Sequence, residues 1–114
     1  MATPLPVISE RVRGCATPLA EPDLDPQQAT RLAALVKALA DPTRLRIVDA
    51  LRNAAPEAVC QCELLPLFAM SQPALAKHLR LLVGAGIIDT QRRGLWTYYF
   101  LAEHGMDELS EWLA

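Results

Sequence analysis

Two aspartates, each followed at once by proline, divide the first half of the chain: Asp25-Pro26 and Asp41-Pro42. Such a pair fixes where a helix starts. The aspartate can accept from the free amides of the first turn, and proline suits the first helical position, where no amide donor is needed. Leu32, Leu35, Val36 and Leu39 then recur at helical spacing after the first pair. Leu45, Ile47, Val48 and Leu51 make the apolar stripe of a second helix, which ends near Asn53 and runs into a loop containing Pro56. A third, short helix follows Cys62, from about Glu63 to Ala69, with Pro66 near its start because proline is not tolerated in a helix interior. Ser71 caps a fourth helix running to about Ala85, with Leu75, Leu79 and Leu82 buried and Gly84 and Gly86 ending it. Ile87 to Arg92, a turn at Arg93-Gly94, and Leu95 to Leu101 read as a β-hairpin. A last helix, about Met106 to Leu113, carries Met106, Leu109, Trp112 and Leu113.

The predicted fold class is mainly α with one β-hairpin. Two helices joined by the brief Met70-Ser71 connection and followed by a basic hairpin make a winged helix-turn-helix. At 114 residues the chain has room for one small domain. Residues 26–114 are assigned to it, and residues 1–25, with Pro4, Pro6, Pro18 and Pro22, to an extended N-terminal arm. Aromatic residues are only 5% of the chain, so the core must be built from Leu, Ala, Val and Ile. Domains of this size bury only part of their apolar surface and often gain the rest by dimerising. The uncharged run from Leu64 to Ala76 is interrupted by two prolines and too short to span a bilayer, and the N-terminus has neither a basic start nor an apolar run. The expectation is a cytoplasmic protein with no membrane partner, whose thiols stay reduced.

Nucleic acid is the expected partner despite a net charge of -2, because the location of the cations matters more than their sum. From Ser71 to Arg93, Lys77, Arg80, Arg92 and Arg93 face Asp89 alone, whereas the first 25 residues are acid-rich. The candidate DNA-binding set is Ser71, Gln72, Ala76, Lys77, His78 and Arg80 on the fourth helix, with Arg92 and Arg93 on the wing. Gln72 can pair with adenine in the major groove, Ser71 can donate to phosphate at a helix N-terminus, and the cations neutralise phosphates. His78 neighbours Leu75 and Leu82 in helical space, so it also fits a packed boundary position. Taken singly, these residues fit any solvated helix face, and it is their ordered combination that points to DNA.

Cys60-Gln61-Cys62 is the sharper chemical signal. On a straight α-helix, side chains two apart diverge by about 200° and could not share a small ion. Irregular backbone before Pro66 would remove that obstacle, and the nearby helix N-terminus would favour thiolates, the form that binds soft metals. A lone Cys-X-Cys is also often just two buried small hydrophobes. Trivalent arsenic and antimony take three thiolates, and the chain has one further cysteine, Cys15. The stretch from Cys15 to the first helix can reach roughly 33 Å, so Cys15 could close such a site on its own subunit or across a dimer.

Ala40-Asp41-Pro42-Thr43-Arg44-Leu45-Arg46-Ile47, Cys60-Gln61-Cys62-Glu63-Leu64, and Ser71-Gln72-Pro73 through Lys77-His78-Leu79 together resemble the ArsR/SmtB family of metal-responsive repressors, over residues 26–113. Val59-Cys60-Gln61-Cys62-Glu63-Leu64 is similar to the metalloid-binding segment of arsenic-responsive members. These often carry a third cysteine three residues further on, where this chain has Leu65. Other members recruit arm cysteines, which Cys15 matches. The resemblance implies a homodimer joined through its first and last helices. It would bind double-stranded operator DNA and be released when arsenic(III), or antimony(III), binds Cys15, Cys60 and Cys62. Cadmium, lead or thiol oxidation are the alternative signals. His104, Asp107, Glu108 and Glu111 lack the second histidine that the family's last-helix zinc site requires and read as a solvated acidic face. No glycine-rich anion cradle or acid/base pair supports an enzyme.

Overall fold

The computed structural model describes residues 3–6 and 19–114. Residues 3–6 and 19–25 form no helix or strand, and the rest of the expected arm, Cys15 included, lies outside the described residues. Helix α1 spans Pro26–Leu39 and α2 spans Pro42–Ala54, each starting at its Asp-Pro pair. Asp25 and Gln28 form a capping box: the Gln28 amide donates to Asp25 Oδ1 at 2.8 Å, and the Asp25 amide donates to Gln28 Oε1 at 3.0 Å. In α2, Ile47, Val48 and Leu51 are buried, but Leu45 is 52% exposed. The expected four-residue stripe is therefore one residue narrower.

A two-residue strand that the sequence pattern did not reveal, β1 (Val59–Cys60), precedes helix α3 (Gln61–Leu64). A 3-10 turn at Leu65–Leu67 continues α3. This segment begins earlier, and its α-helical part ends earlier, than expected. Pro66 has no amide to donate to the carbonyl four residues back, so the chain tightens into 3-10 geometry instead of extending the α-helix. Phe68 to Ser71 then turn the chain into α4 (Gln72–Gly84). Ser71 Oγ accepts from the Ala74 amide at 3.3 Å and caps it. The helix closes at Gly86, whose φ of +76° is the left-handed conformation that favours glycine.

Strands β2 (Ile88–Arg93) and β3 (Trp96–Leu101) form the hairpin. Arg93 pairs with Trp96, so the two-residue loop is Gly94-Leu95, one position later than the sequence suggested. Gly94 has φ +62°, the positive value needed at the first position of a primed hairpin turn. β1 pairs antiparallel with β3, Val59 opposite Tyr99 and Cys60 opposite Tyr98, giving the sheet order β1-β3-β2. Helix α5 (Asp107–Leu113) closes the chain and is joined to α1 by an Arg31–Glu108 ion pair at 3.0 Å. The core lies where α2, α3, α4 and the base of the hairpin meet, with Ile47, Leu51, Leu64, Leu75, Leu79, Leu82, Ile87 and Ile88 all but sealed from solvent. The architecture is a winged helix-turn-helix: α3 and α4 are the paired helices, and β2-β3 is the wing.

Candidate functional site

Burying Leu75, Leu79 and Leu82 turns the other side of α4 outward. Ser71, Gln72, Lys77 and Arg80 are exposed there, and Ala76, on the same side, is half-buried. His78 is half-buried on a different aspect of the helix: its Nδ1 lies 3.4 Å from Arg44 Nη1 and 4.0 Å from Asp41 Oδ2. The structure therefore places His78 against the start of α2, apart from the exposed row. Arg92 and Arg93 are exposed at the end of β2, where Arg92 Nε donates to the Gly94 carbonyl at 3.2 Å and braces the wing tip.

Arg44, which the sequence did not single out, links three elements. Its guanidinium donates to the Ala38 and Lys37 carbonyls at the end of α1 and lies against His78 of α4. Asp41 Oδ2 accepts from the Arg44 amide at 3.0 Å. That hydrogen bond, above all, holds the Asp41 carboxyl below its ordinary range, against the opposing effect of burial and with help from the Arg44 charge and His78.

The two cysteines converge, for a reason other than the expected one. Cys60 is the extended N-cap of α3 (φ -68°, ψ 144°) and Cys62 sits inside its first turn, so the side chains do not splay as they would on continuous helix. Their sulfurs are in contact and their Cα atoms are 5.2 Å apart, a separation that a disulfide also accepts. The Cys62 amide donates to Cys60 Sγ at 3.3 Å, and the Cys60 amide donates to Glu63 Oε1 at 3.0 Å. Cys60 is largely buried and Cys62 exposed. Both open onto a cleft of about 340 Å³. Gln61 and Leu65 line it on the cysteine side, Gln72 of α4 adjoins it, and Leu95, Trp96 and Thr97 line it from the wing. The β1–β3 pairing brings these distant segments together. Among the described residues no three His, Cys, Asp or Glu side chains are grouped to hold a metal ion; Cys15 lies outside those residues.

The model for the bacterial regulatory proteins of the arsR family matches residues 41–90, from the cap of α2 into β2. The arsenical resistance operon repressor of Staphylococcus xylosus is 34% identical over 80 residues, covering 70% of this chain and 74% of that protein. The chain belongs to the ArsR family. A transcriptional repressor SmtB homolog of Synechocystis is 36% identical over 77 residues, 68% of this chain and 56% of that protein. Among solved structures, HlyU from Vibrio cholerae superposes with a TM-score of 0.66 at 26% identity, covering 78% of this chain and 94% of that one. As an ArsR-family member the protein is a DNA-binding transcriptional repressor, not an enzyme. No helix among the described residues is long and apolar enough to cross a membrane.

Proposed function

We propose that this ArsR-family repressor binds operator DNA as a homodimer and is released when arsenic(III), or antimony(III), binds its cysteine thiolates. The observation that carries this reading is the meeting of the Cys60 and Cys62 sulfurs in a cleft that also touches Gln72 of the recognition helix and Trp96 of the wing. Cys15 supplies the third thiolate, from its own subunit or the partner. Ser71, Gln72, Ala76, Lys77 and Arg80 of α4, with Arg92 and Arg93 of the wing, form the DNA-contacting face. His78 acts on it from behind, through its contact with Arg44.

A ligand at the sulfurs can act on DNA binding through two short routes. Cys60 is paired to Tyr98 in the wing strand, and Gln72 adjoins the same cleft at the start of α4. For release, the ligand must bind the low-affinity conformation more tightly than the DNA-bound one, by roughly 1–3 kcal/mol or more. Thiol oxidation is the second reading, favoured by the 5.2 Å separation of the Cys60 and Cys62 Cα atoms, within the range a disulfide spans. Operator titrations with arsenite, and separately with peroxide, test both on wild type and on Cys15→Ser, Cys60→Ser and Cys62→Ser. Arsenite is expected to weaken operator binding in wild type only. Unchanged affinity at saturating arsenite rejects the metalloid reading, and loss of affinity with peroxide alone establishes the second.

A further inference from the structure

Helix α2 carries three arginines, and each is held differently. Arg44 donates to the carbonyls at the end of α1 and lies against His78, and Arg52 Nη2 pairs with Asp49 Oδ1 at 2.8 Å. Arg46 is exposed, and its guanidinium carbon stands over the Phe68 ring, 5.1 Å from the ring centre. This is a cation–π contact, which fixes where the charge sits. A ring face takes up none of the five N–H donors in the guanidinium plane. Among the described residues Arg46 has no carboxylate partner. The side chain is therefore anchored while its donor fork stays open to an anion from outside the chain. The place of the ring decides which anion. Phe68, only 8% exposed, stands in the turn that leads from the 3-10 segment after α3 into α4. Ser71, the N-cap of α4, is three residues further on, within about 11 Å along the chain. In a helix-turn-helix the N-terminal residues of the second helix meet base edges, while the first helix crosses the backbone. The turn between them lies at the rim of the major groove, beside the phosphates.

We infer that Arg46 is a DNA-backbone contact: its guanidinium, steadied on the Phe68 ring, binds a phosphate beside the N-terminus of α4. This adds a third element, α2, to the DNA-contacting face of α4 and the wing. The inference rests on α4 entering the groove as proposed above, and not on the cysteines or their ligand. The planar fork of an arginine matches two phosphate oxygens at once. Such a contact carries no sequence information of its own; it fixes the register at which Gln72 meets its base. The ring contributes preorganisation. A long side chain loses conformational freedom when it binds, and one already seated on a ring has less to lose. The contact is hidden in the sequence because Arg46 lies well before the helix-turn-helix, and only the fold sets it over the turn at Phe68.

The test is operator binding by the full-length protein, followed by fluorescence anisotropy between about 50 and 200 mM salt, a range over which one phosphate contact accounts for about a threefold loss of affinity. Wild type is compared with Arg46→Met, Phe68→Leu and Lys77→Ala. Arg46→Met keeps an unbranched chain over the ring and removes the charge. It is expected to bind more weakly than wild type at the lowest salt and to lose about threefold less on going to the highest, for each subunit on the DNA. Its ranking of operator variants is expected to match wild type. A single neutral methylphosphonate, moved along the half-site, is expected to weaken wild type at one phosphate where it leaves Arg46→Met unaffected. Phe68→Leu is expected to keep the wild-type salt slope, to weaken binding about twofold or more, and to add nothing to Arg46→Met. An Arg46→Met protein with the wild-type salt slope, or one that shares every methylphosphonate effect with wild type, overturns the contact. If Lys77→Ala keeps that slope as well, the proposed DNA-contacting face of α4 fails with it; if Lys77→Ala alone lowers it, the face stands without Arg46. A Phe68→Leu loss of equal size with and without Arg46 overturns the part assigned to the ring.

Discussion

Asp41 does two jobs at the junction of α1 and α2: it accepts the Arg44 amide that starts α2, and it stands 4.0 Å from His78 on α4. Its carboxyl is held below its ordinary range chiefly by that amide hydrogen bond. A carboxyl whose pKa is lowered by folding adds stability that is present in full above its unfolded value, near 4, and is lost as pH falls through the lower folded value. Asparagine caps a helix about as well but carries no charge to titrate. The melting temperature of wild type is therefore expected to exceed that of Asp41→Asn at neutral pH, and the gap to close as the pH falls below about 4. A gap that stays constant across that range would show that the charge at Asp41 contributes nothing. The same residue scale explains the cysteine pair. It is one extended backbone position, Cys60, that turns two side chains toward each other.

At the scale of elements, the proposed DNA-contacting face joins the exposed side of α4 to the wing tip. Phosphate-neutralising cations weaken DNA binding almost uniformly when removed and lower the salt dependence by about one ion each. Lys77→Ala and Arg93→Ala are expected to do this with any operator variant, as measured by fluorescence anisotropy over a range of salt concentrations. Gln72→Ala is expected instead to relax discrimination at one base position, where a good paired contact is worth about 1–3 kcal/mol. A Gln72→Ala protein that still ranks operator variants as wild type does would remove it from base reading. Behind this surface, the β3–α5 loop lies on the α4–β2 junction. The Ala102 amide donates to the Ile87 carbonyl at 3.0 Å. A Cβ on Gly105 would run into the Gly86 carbonyl and come within 3.0 Å of the Ile87 carbonyl. Gly105→Ala should thus lower unfolding stability in urea by ~1–3 kcal/mol, the usual cost of overpacking, and an unchanged midpoint would mean that the loop yields freely. The three longer helices were legible in the sequence because caps, prolines and stripes are local signals. β1 was not, since two residues carry no alternation. Neither was the cleft, because Trp96 becomes a neighbour of the cysteines and of Leu65 only through the pairing of β1 with β3. The cysteine spacing was visible, but its cause was assigned to Pro66 when Cys60 itself supplies the bend.

The two helices at opposite ends of the described fold leave the largest question for the whole molecule. α1, over 14 residues, seals only Leu32, and α5 seals only Leu109. Val36 of α1, one of the apolar residues recurring at helical spacing, and Trp112 and Leu113 of α5 remain exposed. Both helices belong to the same molecular neighbourhood, tied by Arg31 and Glu108. Apolar residues that stay exposed among the described residues are accounted for if a second copy covers them. A shared face on α1 and α5 would hold two copies of α4 for successive major grooves, about 34 Å apart along the DNA. Linking two half-site contacts in this way can raise overall affinity by 10²–10⁴ through effective concentration alone. Trp112→Asp places a charge on that face without touching α4, the wing or the cysteines. It is expected to convert a dimer to a monomer in sedimentation velocity at micromolar concentrations and to weaken binding to a two-half-site operator by about a hundredfold or more, while a single half-site is bound as by wild type. A Trp112→Asp protein that remains dimeric would move the subunit contact off α5. One that becomes monomeric yet keeps full operator affinity would detach DNA recognition from dimerisation altogether.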